Sequence, residues 1–243
     1  MLAARSILIP SRFNGPPNSG NGGYSAGALG TLLEGSVEVS LRSPPPLDVP
    51  LEVRREGDRL EAWHDTTLVM FAQPRALEGR PPSPPPFREA RRGSLTYPSE
   101  GHPLATCFVC GPKRAAGDGL RLFTGRLEGF EGVADVWTPD ASVASADGQV
   151  ATEVVWAALD CPSYFGIPGQ PGFALLGSIC ARIERRPRVG EPLVVVGWHR
   201  RSEGRKHQTG SALFSDGELI AQADTLWIQP RSEVTKHMLA SRA

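Results

Sequence analysis

The sequence is short of several things, and each shortage removes a class of protein. Four cysteines in 243 residues cannot staple a chain of this length, and two of them share one C-x-x-C. A disulfide scaffold is excluded, and a reducing compartment is expected. Neither sign of charge prevails, with 26 Lys+Arg against 26 Asp+Glu. No nucleic acid and no anionic membrane is therefore expected as a partner. No apolar run approaches the roughly 20 residues of a membrane span, and the opening MLAARSILIPSRFNG holds no apolar stretch of signal-peptide length. These absences predict a soluble, cytoplasmic protein. What is present is 40% hydrophobic, enough for a substantial core, with 27 glycines and 23 prolines to punctuate it.

The prolines draw the clearest boundary. Residues 80–103 read RPPSPPPFREARRGSLTYPSEGHP, and five of residues 81–86 are proline. Such a stretch favours extended polyproline geometry and lacks ladder donors. The expected organisation is an N-terminal unit over 1–79, a semi-rigid linker over 80–103, a C-terminal unit over 104–230 and a tail over 231–243. The two units repeat one order of elements. In the first, an apolar helix is predicted over 24–33, then strands in SVEVSLRS, PLEVRREG, DRLEAWHD and TLVMFAQ. In the second, GLRLFTGRLEG and GVADVWTPD read as strands and VATEVVWAALDC as a helix. ALLGSICARIERR, PLVVVGWHRR, KHQTGSALFS and ELIAQADTLWI read as four more strands. Short echoes support a duplication. Pro50-Leu51-Glu52-Val53 matches Pro192-Leu193-Val194-Val195, and Asp65-Thr66-Thr67-Leu68-Val69 matches Asp216-Gly217-Glu218-Leu219-Ile220. A competing register aligns Leu60, Ala62, Asp65 and Thr66 with Leu219, Ala221, Asp224 and Thr225. The first is preferred because it puts an acidic turn before the last strand of both units. One helix with four or five long strands, twice, is an α+β architecture in which each antiparallel sheet carries a helix on one face.

Residues 20–35, GNGGYSAGALGTLLEG, place loose residues at the mouth of a helix. Two explanations compete: close packing, or the approach of something negative to bare backbone. A helix start offers unpaired N–H groups and the positive end of a dipole, and glycine has no Cβ to keep a ligand away. Gly22 and Gly23 can thus form an oxyanion hole, with Asn21 as cap or side-chain donor. The apolar positions Leu29, Leu32 and Leu33 account for the helix through burial alone. In the second unit, Asp160 precedes Cys161-Pro162. Proline disfavours helix at the residue before it, so Asp160 is predicted in the last turn, where a carboxylate opposes the dipole.

Three stretches carry a resemblance. Asn21-Gly22-Gly23 opening a helix looks like the Gly-Gly helix start of hotdog thioesterases, with Asn21 where a histidine often stands. C-F-V-C-G-P (107–112) with G-L-R-L (119–122) is similar to the lead-in of a subset of hotdog proteins. VVWAALDCPSYFG (154–166) looks like the second-half helix of the double-hotdog acyl-CoA thioesterases. The resemblance implies two hotdog units in one chain, each an antiparallel sheet wrapped around a helix, across residues 5–230. It also implies Asp160 as catalytic base or nucleophile, facing a hole made by Gly22, Gly23 and Asn21. Those enzymes use a Gln on the last strand, and that position falls near Thr225, with Gln222 and Asp224 close by. They also use a Thr or Ser near the strand after the second helix, for which Ser178 is nearest. The implied activity is hydrolysis of an acyl-CoA thioester without a cofactor, by a protein that pairs as a homodimer. The alternative is a hotdog groove that holds an acyl-CoA or lipid-like ligand without turnover. A hotdog dehydratase is set aside, because no D-x-x-x-x-H pattern exists among the five histidines.

Two further features have plain readings. The cluster HRRSEGRKH (199–207) is expected as a solvated hairpin tip, with Arg205 able to meet the phosphates of coenzyme A. Cys107 and Cys110, with His102 upstream, make half a zinc site, but four ligands are needed. No second C-x-x-C or H-x-x-x-H exists, and Cys161 and Cys180 lack the spacing. No metal is expected, and the pair reads as two small buried thiols.

Overall fold

The computed structural model describes residues 5–169 and 172–231. Residues 232–243 of the expected tail lie outside the described residues. The first unit contributes β1 (Arg5–Leu8), α1 (Gly22–Gly30), β2 (Val37–Leu41), β3 (Pro50–Glu56), β4 (Arg59–His64) and β5 (Thr67–Pro74). The short α2 (Phe87–Ala90) and a 3-10 helix over Arg91–Thr96 follow. The second unit contributes β6 (Gly125–Arg126), β7 (Val133–Trp137), α3 (Thr152–Phe165), β8 (Leu175–Ile183), β9 (Leu193–Glu203), β10 (Lys206–Ser215) and β11 (Glu218–Ile228).

All eleven strands join one antiparallel sheet in the order β1-β3-β4-β5-β2-β8-β11-β10-β9-β7-β6. Reading outward from its middle, β2, β5, β4 and β3 on one side correspond to β8, β11, β10 and β9 on the other. The preferred echo fits this correspondence. Asp65 and Asp216 occupy the turns of the matching β4–β5 and β10–β11 hairpins, with φ of 53° and 48°. Asp216-Gly217 both have positive φ, as a two-residue primed turn requires. The halves meet where β2 pairs with β8, from Val37↔Ala181 to Ser40↔Ser178.

Each half wraps its helix, and the two helices lie against each other. Along β11, Ala221, Ala223, Thr225 and Trp227 are buried while the residues between them are part-exposed. That alternation puts one face of the sheet against the helices. Leu29, Val39, Val155, Leu159, Ile179 and Leu213 are fully buried in the single large core beneath them.

Three expectations need correction. The first helix begins at Gly22, two residues early, because Asn21 caps it by accepting from Tyr24 N at 2.9 Å, and it ends at Gly30. Leu32 and Leu33 follow it, part-buried. GLRLFTGRLEG forms a strand only at Gly125–Arg126. Its earlier part instead pairs with the cysteine loop, Leu120 N donating to Phe108 O and Leu122 N to Val109 O. The Pro-rich stretch is not wholly a spacer. Ala90 and Tyr97 are buried against the second unit, and a Cβ on Gly93 would run into the carbonyl of Ala134.

Candidate active site

The site forms where α1 and α3 cross. A Cβ on Gly23 would lie 2.6 Å from the Cβ of Asp160 and 2.7 Å from the carbonyl of Trp156. One on Gly27 would lie 2.8 Å from Trp156 Cβ, and one on Gly30 would meet the indole ring at 2.9 Å. These glycines let the two helices touch along their length, so the packing explanation holds for Gly23, Gly27 and Gly30. The anion explanation also holds, in an unexpected form. The negative group at the mouth of α1 is Asp160 itself. Its Oδ2 accepts from Gly23 N at 2.9 Å and from Asn21 Nδ2 at 2.7 Å. Asn21 thus serves both ends, its oxygen capping α1 and its nitrogen holding the carboxylate.

Asp160 is 2% exposed, and its second oxygen, Oδ1, is buried with no hydrogen-bond partner among the described residues. Burial pushes its pKa up to about 7, against the Gly23 N–H, with nearby Cys107 pushing the same way and the Asn21 amide opposing. The carboxyl lies at the wall of a cavity of about 280 Å³. Gly22, Leu176, Trp227 and Pro45 are among its lining. Of the described residues on that lining, Asp160 is the one acidic and the exposed Arg42 the one basic side chain.

Asp160 is not in a last turn. The helix runs on through Pro162 to Phe165, so the expected conflict with the dipole does not arise. Two hydroxyls donate to carbonyls in the turn before the proline. Ser211 Oγ donates to Leu159 O at 2.5 Å, and Ser163 Oγ donates to Asp160 O at 2.6 Å. Gly197 in β9 leaves room for the Pro162 carbonyl, which a Cβ there would strike.

The structure scatters the other sequence candidates. Thr225 is buried, but its hydroxyl points beneath α3, donating to Ser163 Oγ at 2.9 Å and lying 2.5 Å from Thr209 Oγ1. Trp227 Nε1 also donates to Ser163 Oγ, at 2.8 Å. This chain of hydroxyls ends on the Asp160 carbonyl and so positions the acid from below. Ser178 lies with Thr225 and Asp224 in a separate polar pocket, and neither Ser178 nor Gln222 lines the cavity at Asp160. Arg205 sits in the β9–β10 hairpin, where it donates to Gln229 O at 2.8 Å, next to the cavity-lining Ile228 and Pro230. The sequence reading missed Ser163 and Arg42; a serine three residues after the acid was the available signal for the first. It also missed Cys161. That thiol lies 3.8 Å from Cys107, across 54 residues of chain, where no local spacing could reveal it.

No family model matches the chain, and no curated protein matches it in sequence. Solved structures do match. The tesB protein of Mycobacterium avium subsp. paratuberculosis superposes with a TM-score of 0.57 at 17% identity, covering 92% of this chain and 91% of that one. A candidate thioesterase II from Thermobifida fusca gives 0.57 at 14% identity, covering 94% and 98%. A conserved protein of unknown function with a hot dog fold from Alicyclobacillus acidocaldarius gives 0.56 at 11% identity, covering 91% of each chain. Identities this low speak to fold. With the mirrored strand order and the helix wrapped in each half, they make this chain a double-hotdog protein, two hotdog units sharing one continuous sheet.

Proposed function

We propose that the chain hydrolyses acyl thioesters of the acyl-CoA class. The carrying observation is a buried acid, Asp160, that lines an apolar cavity beside the start of α1 and keeps one carboxyl oxygen, Oδ1, without a hydrogen-bond partner among the described residues. Oδ1 takes a proton from a water, whose oxygen attacks the thioester carbonyl. The C–S bond then breaks, and the departing sulfur takes the proton back from Asp160, giving acid and thiol. Gly22 carries one of the amides that a helix's first turn leaves without an intrahelical partner, and it lines the cavity. Its N–H and the helix dipole would stabilise the developing oxyanion. Asn21 and Gly23 hold the base through Oδ2. The apolar lining suits an acyl chain, and Arg42 with Arg205 suits the phosphates of coenzyme A.

The test is thiol release from a panel of acyl-CoAs. Asp160→Asn keeps an acceptor for Gly23 N–H and should lose about 10²–10⁴-fold in rate. An unchanged rate removes Asp160 from the mechanism. A second reading, binding without turnover, is favoured by one observation: Asp160 already occupies the Gly23 N–H that an oxyanion would want. Calorimetric binding of acyl-CoA with no thiol released would select it.

A further inference from the structure

The cysteine loop holds a group of side chains that hydrolysis does not use. Cys107, Cys110 and Cys161 are all buried, and their sulfurs lie within 4.8 Å of one another. The Cys107–Cys161 separation is 3.8 Å. A zinc ion with Zn–S bonds of about 2.3 Å in tetrahedral geometry separates its sulfurs by about the same distance, ~3.8 Å. Asn21 Nδ2 lies 3.9 Å from Cys107 Sγ. Gly111 closes the turn, its N–H donating to Cys107 O at 2.9 Å, and a Cβ there would lie 2.5 Å from that same carbonyl. Three thiols brought within ligand distance from two separate segments of the chain form three-quarters of a tetrahedral zinc site.

We propose that Cys107, Cys110 and Cys161 bind a zinc ion, tying the C-x-x-C loop to α3 beside the cavity. Three thiol protons pass to solvent as the ion binds. His102 stands behind the site. Its Nδ1 accepts from Leu104 N at 3.1 Å, which leaves Nε2 as the protonated nitrogen, 3.8 Å from Cys110 Sγ. In that tautomer His102 is a donor to the sulfur and not a ligand, so the fourth position belongs to a small exogenous group. The ion has a way in: Cys107 and Cys161 line the main cavity, and Cys110 and Cys161 line a smaller pocket beside His102. The fourth cysteine, Cys180, lies elsewhere, 3.7 Å from Ser36 Oγ on β8.

The test reads metal, not turnover. The full chain, purified under reducing conditions without chelator, should carry about one zinc by plasma mass spectrometry. After exchange with cobalt(II), it should show thiolate-to-cobalt charge transfer and the strong visible bands of a tetrahedral site. Cys110→Ser and Cys161→Ser should lose the ion, Cys180→Ser should keep it, and His102→Ala should weaken binding by about 10–100-fold. The cobalt spectrum of the unaltered chain decides the matter even if a variant fails to fold. The proposal is overturned if the unaltered chain, offered zinc against a chromophoric chelator, takes up none. It is equally overturned if the isolated chain carries a Cys107–Cys110 disulfide, or if Cys180→Ser abolishes binding as fully as Cys161→Ser.

Discussion

Asp160 and Gly23 are separated by 137 residues of chain and joined by one hydrogen bond. That bond makes the two neighbouring glycines different in kind. A Cβ on Gly23 would press on Asp160 Cβ and on the Trp156 carbonyl, both fixed. Gly23→Ala should therefore cost about 1–3 kcal/mol of stability through overpacking, read as a lower midpoint in urea. A Cβ on Gly22 would meet only the side chain of Leu176 closely, its movable Cδ2 at 2.9 Å and its Cβ at 3.1 Å, and no backbone atom. Gly22→Ala should leave the urea midpoint nearly in place while narrowing the cavity, so that thioester turnover falls and stability does not. Equal midpoints for both variants would contradict the assignment. The sequence made the neighbourhood of Asn21, Gly22, Gly23 and Asp160 legible, because a capped, glycine-led helix and a second helix bearing one acid are local patterns. It could not reveal that the acid itself would take the amide, nor that Cys161 would join Cys107. Both depend on how two distant helices cross.

The elements were easier to read than their ends. Strands β2 to β5 and β7 to β11 follow from alternating apolar text and turn residues, and the structure contains each of them. Missed were β1, too short to show a period, and the ordered helices at Phe87–Ala90 and Arg91–Thr96, hidden behind prolines. The error at Pro162 is instructive. Local preference ends the helix there, but buried packing carries it on to Phe165, with Ser211 of β10 and Ser163 of α3 donating to the neighbouring Leu159 and Asp160 carbonyls. Thr225 belongs to that same support. Its hydroxyl accepts from Thr209 and donates to Ser163, which in turn holds the Asp160 carbonyl. Thr225→Val keeps the shape and removes the relay, leaving the buried Thr209 hydroxyl without an acceptor. The expected cost is about 1–3 kcal/mol in unfolding free energy, with KM for acyl-CoA unchanged. A raised KM at unchanged stability would instead return Thr225 to the substrate.

At the scale of the whole molecule, the internal symmetry is broken where chemistry is expected. The position nine residues past the Asn21 cap is Gly30, and the position nine past the corresponding Ala151 cap is Asp160. Ala151 offers no capping side chain, and the Trp156 ring fills the space against Gly30. The double unit thus carries one such site and uses the mirror position for packing. A second buried acid, Asp135 on β7, acts on the stability of the entire fold. It is 5% exposed, and its oxygens accept from Phe123 N at 2.7 Å and Val136 N at 2.8 Å. Burial nevertheless wins over those bonds and over the nearby Arg91, raising its pKa from 3.8 to about 6. A raised carboxyl pKa means that the fold prefers the neutral form. Below about pH 4 both folded and unfolded chains hold the proton, and the stability associated with it is fully present. As pH rises through about 6, the folded chain must ionise a buried group, and that stability is lost. A shift of this size corresponds to about 3 kcal/mol at most. Asp135→Asn is neutral at every pH and surrenders part of one hydrogen bond. Urea unfolding of both chains between pH 4 and 7 should therefore show the variant gaining on the parent as pH rises, with most of the change between pH 4 and 6. A difference that stays flat across that interval would mean that Asp135 is ionised in the fold throughout, and that its two backbone donors outweigh its burial.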